Sequence, residues 1–175
     1  MQQVGFQLYA DMLKASVSAL RAGREPDLSE PLGVTTEINL HTPARLPETY
    51  CNDVHERLVL YKRLASCDSI DALDLVREEL VDRFGNGPEP VQALLACHRL
   101  RLLARACGVV KIDAGPERTT LQFGKHPPFD PGKLILEVQR DGRTRFAGPD
   151  RIRLERAAPT LDDRVALVRD FLGRL

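Results

Sequence analysis

Residues 67–90 read CDSIDALDLVREELVDRFGNGPEP, a helix, its stop signal and the start of the next helix. Ile70, Leu73, Val76, Leu80 and Phe84 recur at steps of three and four, which lines one stripe of a 3.6-residue helix. Asp71, Asp74, Glu78 and Asp82 recur with the same period on the opposite side, with Glu79 beside them and Leu75 set among them. Asp68 or Ser69 can cap the N-terminus, and Gly85 stands where a left-handed residue usually ends a helix. Asn86-Gly87-Pro88 prevents continuation, and Pro90 suits the first turn of a new helix.

Residues 68–90 hold seven acids (Asp68, Asp71, Asp74, Glu78, Glu79, Asp82, Glu89) against Arg77 and Arg83, a local net of −5 in a chain whose total is zero. A solvated surface helix is one reading of such a face. The other is a docking surface for a basic partner, in which the charges steer and select while an apolar side chain supplies affinity.

The 175 residues, 43% of them hydrophobic, suffice to bury one core. Balanced charge points globally to neither nucleic acid nor membrane, so asymmetry along the chain carries the electrostatic information. No apolar run is long enough to span a bilayer, and no basic segment followed by an apolar one opens the chain. Cys51, Cys67, Cys97 and Cys107 include no C-x-x-C pair, which suits reduced thiols rather than a disulfide framework or a structural zinc site. The expected location is the cytoplasm.

Val4–Arg21 reads as a helix with Phe6, Tyr9, Leu13, Val17 and Leu20 on one stripe, ended by Gly23. Its breadth, and the lack of a visible cap, suggest a connection to a preceding domain over residues 1–25, with the folded domain spanning 26–175. Residues 24–33 look irregular. Val34, Thr36, Ile38 and Leu40 alternate as one face of a strand. Asp53 and Glu56 suggest a carboxylate version of the capping box before a helix that would bury Val54, Leu58, Tyr61 and Ala65. In the helix over Val91–Ala106, Leu94, Leu95, His98, Leu102 and Ala106 are expected inward and Arg99, Arg101 and Arg105 outward.

Beyond it, Val109–Asp113 with Thr119–Phe123, and Arg143–Ala147 with Arg151–Glu155, read as hairpins. A short helix follows Asp130-Pro131 and runs to Gln139. A last one starts at Thr160 with Asp163 in support and carries Leu161, Val165, Val168 and Leu172. Helices first and antiparallel pairs after them predict an α+β domain, with helices packed on a small antiparallel or mixed sheet.

No catalytic constellation emerges. There is no P-loop, dinucleotide fingerprint or G-x-S-x-G. Cys97 and His98 are adjacent on a helix and diverge by about 100°. The acids of 71–82 line a flank instead of converging across a cleft. No cofactor and no metal are expected. One basic feature competes with the acidic helix: Arg143, Arg145, Arg151 and Arg153 occupy alternate positions of the second hairpin. Residues 139–156 carry six arginines against Asp141, Asp150 and Glu155. A solvated sheet face is the expected reading, and contact of this domain with DNA or a membrane is not expected; an auxiliary nucleic-acid-binding module built on these arginines is the alternative.

The strings VGFQLY, AGREPDL, TEINL, NDVHERLVLYKRLA and EELVDRFGNGPEPV, in this order, resemble the C-terminal end of bacterial transcription-repair coupling factors (Mfd). The resemblance is densest at Val4–Pro26 and Asp53–Pro90 and weakest beyond Thr119. It implies a parent that engages RNA polymerase stalled at DNA damage and moves it with an ATP-driven DNA translocase. The parent then recruits UvrA through a UvrB-like N-terminal module. The C-terminal domain is implied to be a non-catalytic clamp that packs on that module and masks its UvrA-binding surface. Glu79 and Asp82 carry over as the docking pair. Asp71, Asp74, Leu75 and Glu78 join them from the helical wheel, and no family role carries over to the arginines.

Overall fold

Strands form where the sequence alternates. In the computed structural model, which describes residues 36–175, β1 (Glu37–Asn39) runs parallel to β2 (Val109–Ala114). From there β2, β3 (Thr119–Phe123), β5 (Arg151–Leu154) and β4 (Thr144–Phe146) pair antiparallel, giving the order β1-β2-β3-β5-β4. One row of cross-strand partners, Ile38, Ile112, Leu121 and Ile152, faces the helices. The neighbouring row Asn39, Asp113, Thr120, Arg153 and Arg145 faces the other way. The readings made for Val4–Arg21, for 24–33, for Val34 and for a boundary at residue 25 lie outside the described residues.

Five helices complete the described part: α1 (Val54–Ser66), α2 (Ile70–Phe84), α3 (Glu89–Ala106), α4 (Pro131–Arg140) and α5 (Leu161–Leu172). Local chemistry sets their ends. Asp53 and Ser69 accept from the backbone N–H groups of Glu56 and Ala72, but the reciprocal half of the expected Asp53–Glu56 capping box does not form, because the Glu56 carboxylate pairs with Arg83. Thr160 and Asp163 form a reciprocal capping box. Gly85 ends α2 at φ 78°, a conformation that suits glycine, with its N–H donating to Val81 at 2.8 Å. The single proton of the Tyr50 hydroxyl is shared between the carbonyls of Gly85 at 2.9 Å and Leu80 at 3.1 Å, which fastens the segment before α1 to the end of α2.

Two apolar clusters result, and α3 belongs to both. Ala93, Leu100 and Ala104 pack on the inner sheet face with Ile112, Leu121, Ile152 and α5's Val168 and Phe171. Val91 and Leu94, from the opposite side of α3, pack with Leu60 and Leu64 of α1 and with Leu73, Val76 and Leu80 of α2. The observed architecture is α+β with a mixed sheet, as expected. Arg164 is buried at the start of α5, donating to the carbonyls of Leu40, Pro159 and Thr160 and so tying the end of β1 to that helix.

Two helix phases differ from expectation. In α1 the buried residues are Leu60 and Leu64, while Val54 and Leu58 are exposed, Ala65 is exposed and Tyr61 is half-buried. The helix carries apolar residues on two sides, and its wider stripe is the outer one. Tyr61 is held at the rim because its hydroxyl accepts from the backbone N–H of Leu46 at 2.7 Å. In α3 the expected stripe of Leu94, Leu95 and Leu102 is the side facing α1 and α2. The side toward the sheet is instead the alanine-rich one, with Ala93 and Ala104 buried, and Ala106, expected inward, is exposed. In the second hairpin Phe146, expected opposite the arginines, lies at the outer edge of the apolar row and stays half exposed.

The corrected phase of α1 predicts that Leu60→Ala lowers stability by about 2–5 kcal/mol, whereas Leu58→Ala stays within about 0.5 kcal/mol. Urea denaturation of the two variants measures both.

Candidate functional site

The side of α2 that points away from the core holds the candidate site. Because Leu73, Val76 and Leu80 fix the buried side, the 3.6-residue period turns Asp71, Leu75, Glu78 and Asp82 outward along one ridge. Leu75 is 67% exposed, the most exposed of the domain's large hydrophobic side chains among the described residues, and carboxylates frame it. Among the described residues, no ion pair involves Asp71, Glu78 or Asp82.

The other two acids assigned to this face have internal partners. Glu79 is gripped by Arg63 of α1, whose two terminal nitrogens each lie 2.7 Å from a different carboxylate oxygen. Arg83 adds a contact at 3.3 Å to Glu79 and pairs with Glu56 of α1 as well. Hydrogen bonding from Arg63 holds the Glu79 carboxyl below the usual glutamate range. On the other flank Asp74 pairs with Arg99 of α3, with Arg77 at 3.8 Å. The predicted row therefore splits. Glu79 and Asp74 brace α2 against its neighbours, and Asp71, Glu78 and Asp82 with Leu75 form the outer ridge.

The i,i+4 step from Glu79 to Arg83 is legible in the sequence. The partners Arg63, Glu56 and Arg99 come from other helices, and no spacing along the chain announces them.

The four arginines of the second hairpin lie on or beside the sheet face that points away from the helices. Arg145 and Arg153 are directly opposed across β4 and β5. Arg145 lies 3.4 Å from Glu155 and Arg151 lies 3.8 Å from Asp150. Arg143 and Arg153 enter no ion pair among the described residues. Asp141 instead serves the loop before β4: burial pushes its pKa up, but hydrogen bonds from Thr144 and Arg156 outweigh this and hold it below normal.

A third titratable group lies between the layers. His98 of α3 is half-buried and its Nδ1 has no hydrogen-bond partner. Burial, with Arg101 one turn along, lowers its pKa to about 4. The thiol of Cys97 is pushed up by burial, the opposite of what a nucleophile needs. Between the His98 value in the unfolded chain and about 4, the unfolded chain binds a proton that the fold does not. Stability is thus complete above about pH 6.5 and falls by up to about 3 kcal/mol as pH drops to 4. His98→Leu is expected to flatten that slope, read as denaturation midpoints between pH 7 and 4.

Among the described residues no group of three His, Cys, Asp or Glu comes together as a metal site. No described helix is long and apolar enough to cross a membrane. Residues 40–134 match the family model described as the TRCF domain. The transcription-repair-coupling factor of Haemophilus influenzae is 38% identical over 98% of this chain, and that of Escherichia coli 35% identical over all of it. The chain spans 15% of the length of each. A crystal structure of the C-terminal domain of transcription-repair coupling factor superposes with a TM-score of 0.64 at 20% identity, covering 80% of this chain and 93% of that one. The chain belongs to the TRCF domain family, found at the C-terminal end of transcription-repair coupling factors.

Proposed function

We propose that this domain is a non-catalytic clamp in transcription-coupled DNA repair. Its acidic α2 ridge docks on the UvrB-like N-terminal module of the parent chain and masks the UvrA-binding surface until the parent engages RNA polymerase. The observation that carries the reading is the ridge itself: Asp71, Glu78 and Asp82, without internal counterions among the described residues, frame the exposed Leu75. Charges in that position steer a basic surface toward the ridge, and the leucine supplies the apolar centre that a small interface needs.

Energetics favour a shared rather than a single contact. An exposed ion pair contributes about 0.2–1 kcal/mol, so three carboxylates and one leucine reach a total of about 3 kcal/mol only together. A closed contact of ~3 kcal/mol leaves the masked surface open in roughly 1% of molecules, and losing half of it opens about 10%. Such a lid is shut at rest yet releasable by a competitor that gains a few kcal/mol on the open form.

Glu79, one of the two acids that the family resemblance favours, enters this scheme as a brace, whereas Asp82 stays on the ridge. Its charge is balanced by Arg63 and Arg83, so its reversal perturbs the α1–α2 seam as well as any docking contact. The cleaner test uses Asp71→Lys with Asp82→Lys, both exposed and both outside the brace. The double variant is expected to keep the parental melting temperature within about 2 °C while weakening binding to the N-terminal module about tenfold or more, roughly 1.4 kcal/mol. Titration calorimetry at low and moderate salt reads the effect, and unchanged affinity would remove the docking ridge.

A further inference from the structure

We propose that the arginine-bearing face of the sheet, at its β5–β4 edge, is a second interaction surface that binds the phosphate backbone of duplex DNA without reading its sequence. This inference does not rest on the α2 ridge. It begins with a cost. Arg145 and Arg153 are an opposed cross-strand pair on neighbouring strands, where like charges repel and an opposite charge would stabilise. At the other edge of the sheet, the same face does use the favourable arrangement: Lys111 on β2 pairs at 3.0 Å with Glu37, its partner on β1.

The second observation is an unmet hydrogen bond. Arg153 has no carboxylate partner among the described residues, and its Nε is shielded from solvent with no acceptor. The shielded Nε is out of reach of an incoming phosphate, so what the side chain offers a ligand is its terminal nitrogens, whose charge no carboxylate among the described residues offsets. Its neighbours on the same row and the next are Thr120 of β3 and Arg151 of β5, groups that donate to phosphate oxygens, while the Gln122 amide is already taken up by Asp150 at 2.8 Å. No aromatic side chain stands among them, so the surface lacks a platform for stacking single-stranded bases.

Charge and geometry select the partner. Between residues 139 and 156 every cation is an arginine, the residue whose planar fork matches phosphate bidentately. Along β5 two arginines stand two residues apart, about 7 Å, and the β4 arginine lies about 5 Å across the ladder. Two acids, Asp150 and Glu155, lie at the edge at 3.8 and 3.4 Å from their arginines and leave a positive balance. A surface of this kind follows a phosphate backbone and has no means of reading base edges. Because α3 stands between the sheet and α2, the arginine face and the acidic ridge lie on opposite sides of the layers. One can hold DNA while the other holds a basic protein surface.

The test is fluorescence anisotropy of the 175-residue chain with a labelled duplex of random sequence, across a salt series. Four arginine–phosphate contacts predict that log affinity falls against log salt with a slope of about −3 to −4. Arg153→Gln and Arg145→Gln are each expected to make that slope shallower by about 1. Arg140→Gln, on the exposed end of α4, leaves it unchanged. Circular dichroism melts verify that each variant folds. Absence of binding at 50 mM salt would overturn the proposal, as would variants that bind like the parent. Displacement of the duplex by poly-glutamate at equal charge concentration, with the same loss in Arg153→Gln, would also overturn it, because the surface would then be one for acidic proteins.

Discussion

Between the sheet and the α1–α2 pair lies a single helix that must bury opposite sides at once. Small residues, Ala93 and Ala104, let α3 approach the strands closely, while Val91 and Leu94 on its other side anchor the outer helices. A helix of about five turns buried this way offers water little beyond its flanks, and it uses one flank for Arg99 and its contact with Asp74. Everything displayed on α2 is therefore indexed to the sheet through α3. Rotating α2 by one residue would turn its ridge by about 100° and bury carboxylates in a cluster that holds no cation for them.

The charges on α2 divide by what their neighbours do. Where another helix supplies a guanidinium, the acid is held and its charge is offset. Where none does, the acid faces water and is available to a partner. A bidentate arginine contact such as Arg63 to Glu79 fixes geometry better than it stabilises an exposed seam. Its value lies in holding α1 and α2 in register so that the three free carboxylates and Leu75 keep a constant spacing. Display on a braced helix, not on a loop, reduces the ordering cost of binding.

Much of this was legible along the chain, because it depends on periodicity. The α2 stripe, the caps at Asp53, Ser69 and Thr160, the turn at Gly85 and the strand pairs all follow from local chemistry, and the structure matches them. The phase of α1 did not follow. Val54, Leu58 and Ala65 form a better apolar stripe than Leu60 and Leu64, and only the tertiary contact decides between them. The second side of α3 was hidden for a related reason: a helix buried twice has no single moment to read. Arg63 with Glu79, and Arg99 with Asp74, join residues 16 and 25 positions apart, so the division of the acidic row into brace and ridge was beyond any reading of spacing.

The central claim is that the α2 ridge, centred on Leu75, rests against the N-terminal module of the parent molecule. Placing a photo-crosslinking amino acid at position 75 of the full-length parent tests this directly, since the exposed site tolerates the change without disturbing the core. Irradiation of the resting protein, followed by peptide mapping, should join position 75 to a basic surface of the UvrB-like module, and the crosslink should fade at high salt. A crosslink confined to other regions of the chain, or one that salt does not affect, would contradict the account.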